Sequence, residues 1–188
     1  MGIRRKVIKI DHIKTKTKID ECKICENCPS KLYTDTENIK LGVGNIISNT
    51  IFILPTYSDT IKEGYETMLS ILIKEFKEIT GYDLLTYAYV TRLVKCYSNS
   101  TYNLYINSVS FCSNCLFEEL NKVNRFQNIV FFGSSLKDLT EHNELLAEAI
   151  KANFNIITIP NPLVSFYKPS KYYDEFVDKL KSIVNDNF

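Results

Sequence analysis

Short apolar runs alternate with longer amphipathic ones along most of this chain. Thr50 to Leu54 (TIFIL) is continuously apolar, rich in β-branched residues, and stops at Pro55, the pattern of a strand buried on both faces. Beyond it Met68, Leu69, Leu72, Ile73, Phe76 and Ile79 recur at helical spacing, with Gly81 as a suitable stop. Leu85 to Val94 reads as the next strand and runs into Cys96, and a helix is predicted from about Asn114 to Val123. Asn128 to Phe132 (NIVFF) predicts a third strand, ending in Gly133-Ser134-Ser135 and a helix from about Leu136 to Lys151. Phe154 to Ile159 predicts a fourth strand, broken at Pro160-Asn161-Pro162, before a last helix from about Ser170 to Val184.

Strands alternating with helices predict one α/β domain, a three-layer structure with a mostly parallel central sheet of about four strands. In such sheets ligand sites gather beyond the carboxyl ends of the strands. Here those loops are Pro55 to Asp59, Arg92 to Cys96, Gly133 to Ser135 and Pro160 to Tyr167.

Composition adds limits. At 188 residues and 45% hydrophobic content the chain is long enough to bury a good core. No run approaches the ~20 apolar residues of a membrane span, and the N-terminus does not read as a signal peptide. A cytoplasmic (intracellular) protein with no membrane partner is expected. The net charge of +1 argues against a uniformly basic nucleic-acid coat. It leaves room for a local patch, because Arg4, Arg5, Lys6, Lys9, Lys14, Lys16 and Lys18 crowd residues 1–20, read as a basic arm preceding a domain over 21–188. A solvated, frayed tail is the plain alternative for that arm.

The six cysteines carry the most chemistry. Cys22, Cys25 and Cys28 form C-x-x-C-x-x-C, Cys96 stands alone, and Cys112 and Cys115 form a second C-x-x-C. Thiolates at such spacings in an intracellular chain point to a metal, either zinc or an iron–sulfur cluster. Spacing alone leaves the two open.

Several of these segments, in this order, resemble the iron–sulfur (family 4) uracil-DNA glycosylases over about Cys22 to Ile183. The likeness rests on Cys22-x-x-Cys25, on Tyr89-Val-Thr-Arg-Leu-Val-Lys95-Cys96, which is similar to YxTNxxKC, and on Cys112 sixteen residues after Cys96. It is extended by Gly42-Val-Gly44-Asn45, by Ile129-Val-Phe-Phe-Gly133, and by Ile159-Pro-Asn-Pro162 with Tyr167-Lys-Pro169 and Lys171 behind it. The resemblance implies a uracil-DNA-glycosylase-like fold, DNA as partner, and a [4Fe–4S] cluster on Cys22, Cys25, Cys96 and Cys112, with zinc on Cys22, Cys25, Cys112 and Cys115 as the alternative. Cys28 and Cys115 are then spare thiols, or one of them replaces a ligand.

The catalytic loops depart from the pattern. Leu54-Pro55-Thr56-Tyr57-Ser58 stands where the family has a carboxylate, leaving Asp59 as the nearest candidate to steady an oxocarbenium-like sugar and orient water. The plainer role for Asp59 is to cap the helix after it. Glu63 and Glu66 are weaker candidates. Arg92 replaces the asparagine that reads uracil, and arginine only donates. Asn161 replaces the histidine that meets the departing base, though it also makes a good turn residue. Tyr57 and Tyr65 are candidates to stack on an extruded base. Ser134 and Ser135 at a helix start suit a phosphate oxygen, Leu163, Val164 and Phe166 a wedge, and Lys168 and Lys171 the flanking backbone. The expected function is a DNA glycosylase acting on a non-uracil base, with bulky modified bases among the candidates. The alternative is a catalytically inactive DNA-binding protein of the same fold in replication, repair or phage–host conflict.

Overall fold

The computed structural model describes residues 42–55, 68–95, 102–123 and 125–185. In these residues Ile51, Phe52, Ile53 and Leu54 are all fully buried, as are Ile129 to Phe132, so the two central strands are covered on both faces. The elements are β1 (Val43–Gly44), β2 (Thr50–Leu54), α1 (Met68–Thr80), α2 (Leu84–Tyr87), β3 (Tyr89–Arg92), α3 (Tyr102–Lys122), β4 (Asn128–Phe132), α4 (Ser135–His142), α5 (Glu144–Asn153), β5 (Asn155–Ile159), a 3-10 helix (Pro162–Tyr167) and α6 (Lys171–Asn185). The sheet runs β1-β3-β2-β4-β5. Strands β3, β2, β4 and β5 are mutually parallel, and β1 adds an antiparallel edge on β3.

Side-chain alternation sorts the core into two layers. Ile51, Ile53, Tyr89, Ile129 and Phe131 pack with α3, α4 and α5, whereas Phe52, Leu54, Val90, Val130 and Phe132 pack with α1, α2 and α6. The predicted α/β class with helices on both faces is therefore present, with five strands in place of about four. The extra strand is β1, whose two residues are too few to leave a periodic signal in sequence.

Three element boundaries differ from the sequence expectation. Leu84–Tyr87 is helical, although its apolar and aromatic residues favour a strand, because Asp83 caps it by accepting from Thr86 N at 2.9 Å. The strand begins only at Tyr89. Helix α3 starts at Tyr102, not Asn114, and spans 21 residues. Its first half is rich in Tyr, Asn and Ser, weak helix formers, and is held instead by the buried stripe Tyr105, Val109, Cys112, Leu116 and Leu120. The single helix expected over 136–151 is two. Asn143 N–H closes α4 by donating to Leu139 O, and the Asn143 carboxamide opens α5 by accepting from Leu146 N at 3.2 Å.

Gly44 and Gly81 both have positive φ, +101° and +80°, but their surroundings differ. A Cβ on Gly44 would lie 2.4 Å from Ala88 O, while one on Gly81 meets nothing within 4 Å. Gly44→Ala is expected to cost more than about 3 kcal/mol, combining strain with a backbone clash. Gly81→Ala should cost about 1 kcal/mol from strain alone. Urea denaturation of the two variants checks the difference, and equal losses would show that the β1–α2 contact is not tight.

Candidate functional site

The carboxyl ends of the four parallel strands lie in one row. Register pairs Leu54 with Arg92 and Phe132 with Ile159, and pairs Ile53 with Phe131. The parallel ladder continues past the strands: Leu93 N donates to Leu54 O at 2.8 Å, Val94 N to Pro55 O at 3.0 Å, and Gly133 N to Ile159 O at 2.9 Å. Pro55, Arg92, Gly133-Ser134 and Asn161 therefore leave the sheet at the same level. Gly133 turns there with φ +58°, close enough to Asn161 that a Cβ on it would sit 3.5 Å from the Asn161 Cβ.

Asn161 caps the 3-10 helix. Its Oδ1 accepts from Leu163 N at 3.0 Å, which turns Nδ2 away from the backbone it caps. Arg92 is only 3% exposed, and burial lowers its pKa to about 9 against the opposing pull of Glu119. Strand alternation puts it on the Val90 face of the sheet.

The serines of the β4–α4 turn differ in availability. Ser135 is fully buried, and its hydroxyl donates to Phe132 O at 2.7 Å, so this side chain is engaged within the fold. Ser134 is exposed, yet its hydroxyl donates to Asp138 Oδ2 at 2.8 Å. Asp138 is buried in the first turn of α4 and also accepts from Tyr105 OH at 2.8 Å. A carboxylate thus already occupies the positive end of this helix. Asp138 carried no motif signal in sequence. Only its packing against α3 reveals it.

The basic residues also separate. Lys168 Nζ lies 2.9 Å from both carboxylate oxygens of Glu75, itself buried on α1, and 4.3 Å from the centre of the Tyr173 ring. Partial desolvation opposes its charge, but the Tyr173 hydroxyl and the Glu75 carboxylate outweigh it and hold the ammonium above its ordinary pKa. Lys168 therefore ties the 3-10 helix to α1, while its side chain stays 38% exposed. Lys171 is exposed, 5.0 Å above the Tyr172 ring. Leu163 and Val164 lie partly buried against the α1–α6 core, whereas Phe166 and Tyr167 are 52% and 74% exposed. The apolar tip of this loop is thus Phe166 and Tyr167 more than Leu163.

Asp59, Tyr57, Tyr65, Glu63, Glu66, Cys22, Cys25, Cys28 and Cys96 lie outside the described residues. Cys112 is described and buried, and Cys115 is half-buried one helical turn along. Cys112, Cys115 and Glu119 follow one face of α3 at i, i+3 and i+7. That face meets Lys95, the residue before Cys96: Lys95 Nζ bonds Glu119 and donates to Thr91 Oγ1 at 2.6 Å. Burial pulls the Lys95 ammonium down, while Glu119, Cys112 and Cys115 all favour its charged form. Both thiols are thus within electrostatic range of Lys95. Among the described residues alone, no group of three or more His, Cys, Asp or Glu side chains is arranged to hold a metal ion.

Glu119 accepts further from Tyr89 OH at 2.6 Å, Gly42 N at 2.7 Å and Thr91 Oγ1 at 2.8 Å. Burial alone would raise its pKa, but Lys95, the Tyr89 hydroxyl and the Gly42 N–H hold it below the usual carboxylate range. Burial, followed by the charge of Glu119, pushes the Tyr89 phenol well above its ordinary value.

No protein-family model matches the chain, and no curated protein does.

Removing one partner of a buried ion pair strands the other. Glu119→Ala and Lys95→Met are each expected to lose about 3–5 kcal/mol of unfolding free energy, and the double variant less than the sum. Denaturant titrations of the four proteins measure the coupling, and additive losses would mean that the pair does not act as a unit.

Proposed function

We propose that this chain is an iron–sulfur, DNA-glycosylase-like protein that binds DNA and excises a flipped base other than uracil. The uracil-DNA-glycosylase-like fold belongs to the same proposal. The observation that carries it is the row of strand ends, where the segments of the resemblance that hold Pro55, Arg92, Gly133 and Asn161 emerge side by side. Excision breaks the bond between C1′ and the base nitrogen, with the electron pair leaving on the base. The oxygen of a water molecule then bonds C1′, and its proton passes to solvent or to the base. The sugar is cation-like midway, so a carboxylate and a donor to the leaving base both lower the barrier. Asn161 Nδ2 is such a donor, Asp59 is the proposed carboxylate, and Tyr57 and Tyr65 are the proposed stacking residues. Lys171 and the Leu163–Phe166 loop are the proposed DNA contacts.

The donor chemistry fits a thiolate-bound metal. Cys112 and Cys115 face the Lys95 end of the segment that continues into Cys96, and Lys95 offsets part of the negative charge of thiolates. By the resemblance, Cys22, Cys25, Cys96 and Cys112 would hold a [4Fe–4S] cluster with a structural role, stapling the N-terminal segment to α3. Anaerobically purified protein should be brown, with iron and sulfide at about four each per chain, and Cys112→Ser should bleach and destabilise it. A colourless protein holding one zinc would replace the cluster with the zinc alternative.

One observation favours the second reading, a catalytically inactive DNA-binding protein in replication, repair or phage–host conflict. Arg92, at the base-reading position, is almost wholly buried, so it has little surface with which to reach a base. An assay for abasic sites on duplexes carrying different modified bases separates the two readings. Ordinary uracil should be a poor substrate, because Pro55, Arg92 and Asn161 stand where the three efficient groups are expected. Each lost transition-state contact costs on the order of 10²-fold in rate. For a base that is released, Asp59→Asn and Asn161→Ala should each abolish release while DNA binding persists. Robust uracil excision by the wild-type protein refutes the proposal, and no release from any duplex favours the inactive reading.

A further inference from the structure

Ser134 and Asn161 follow the ends of adjacent parallel strands, and Gly133, next to Ser134 in the chain, lies against Asn161. Phe132 pairs with Ile159, and just past that pair Gly133 N donates to Ile159 O at 2.9 Å, so the turn that leads into Ser134 lies against the residues after β5. Gly133 keeps the approach open, with the Asn161 Nδ2 3.7 Å from where its Cβ would stand.

Their hydrogen bonds fix what each can offer. A serine hydroxyl has one proton and two lone pairs. Ser134 gives its proton to Asp138 Oδ2, and Asp138 is anchored by Tyr105 from α3. The exposed side of Ser134 Oγ therefore presents lone pairs and accepts. Asn161 is the reverse case. Its Oδ1 is engaged by Leu163 N, and among the described residues its Nδ2 has no acceptor. The two strand ends thus offer an acceptor on one and a donor on the other.

Phosphate oxygens only accept. They find one donor side chain here, a serine whose proton is already committed, and a helix start that holds the Asp138 carboxylate. A neutral N–H beside a C=O matches both groups. We propose that Ser134 and Asn161 read the N–H/C=O (lactam) edge of a keto nucleobase, with Ser134 Oγ accepting from the ring N–H and Asn161 Nδ2 donating to the carbonyl. The proposal rests on the base-handling reading above. It assigns Ser134 to the base and not to the DNA backbone, and makes it a specificity-determining residue.

The test is equilibrium binding of free bases to the full-length protein by ligand-observed NMR, without DNA or turnover. The probes are thymine, N3-methylthymine and inorganic phosphate. Thymine should bind about tenfold or more tightly than N3-methylthymine, which lacks the N–H, and phosphate should not displace it. Ser134→Ala should bring thymine down to the level of its methylated analogue, Ser134→Thr should keep the preference, and Asn161→Ala should weaken both ligands. Equal affinities in the wild-type protein, no binding of thymine, or displacement by phosphate would each overturn the inference. Should Ser134→Ala fold poorly, the wild-type comparison of the two thymines and the Ser134→Thr variant still decide it. Selective binding with no base released from any duplex would leave the inference standing and remove the glycosylase reading. Base release unaffected by Ser134→Ala, with no selectivity for the N–H, would do the opposite.

Discussion

The Glu119 carboxylate is the point on which the front half of the molecule turns. It gathers the backbone of Gly42, the phenol of Tyr89, the hydroxyl of Thr91 and the ammonium of Lys95 onto one position of α3. A carboxylate this buried is tolerated only with its lone pairs filled and a cation at hand. That requirement fixes the rotation of α3 against β3. Because Cys112 and Cys115 share the Glu119 face, the same requirement turns both thiols toward Lys95 and the segment leading to Cys96. The edge strand β1 depends on it as well, since Gly42 leads into that strand.

A second ion pair does comparable work on the other face. Glu75, buried on α1, takes both Lys168 and the Tyr173 hydroxyl, and so fastens the loop after β5 to a helix that packs under β2. The loop bearing Asn161 is thereby held from below while its aromatic tip, Phe166 and Tyr167, stays exposed. Such an arrangement suits binding: a rigid base loses little freedom when the tip meets a partner. Lys168, which the resemblance marks as a nucleic-acid contact, also has a place in the scaffold through Glu75.

The hollow lined by Ile79, Thr80, Tyr82, Lys181, Val184 and Asn185 lies elsewhere. Helices α1 and α6 both run away from the carboxyl ends of the strands, so their final turns mark the opposite end of the sheet. Ligand chemistry in a parallel sheet belongs at the carboxyl ends, where loops diverge and backbone groups are unpaired. Those ends are where Arg92, Ser134 and Asn161 are found.

By itself the sequence determined the α/β alternation, the strands Thr50–Leu54 and Asn128–Phe132, helix α1, and the breaks at Gly133 and Pro160 that end β4 and β5. These are strong signals because a strand buried on both faces must be apolar throughout and a helix on a sheet must be apolar every third or fourth residue. It missed β1, the short helix at Leu84, and the first half of α3, where local propensity is weak and long-range packing decides. The roles of individual polar residues were decided only by tertiary structure. Ser134 and Ser135 are identical neighbours in sequence, yet one is exposed and bonded to Asp138 while the other is sealed against Phe132. Asp138, Glu75 and Glu119 look like ordinary helix-surface acids in the sequence, and all three are buried anchors. The reason is that a hydrogen-bonding side chain takes its function from its partner, and each partner here lies between three and 98 residues away along the chain.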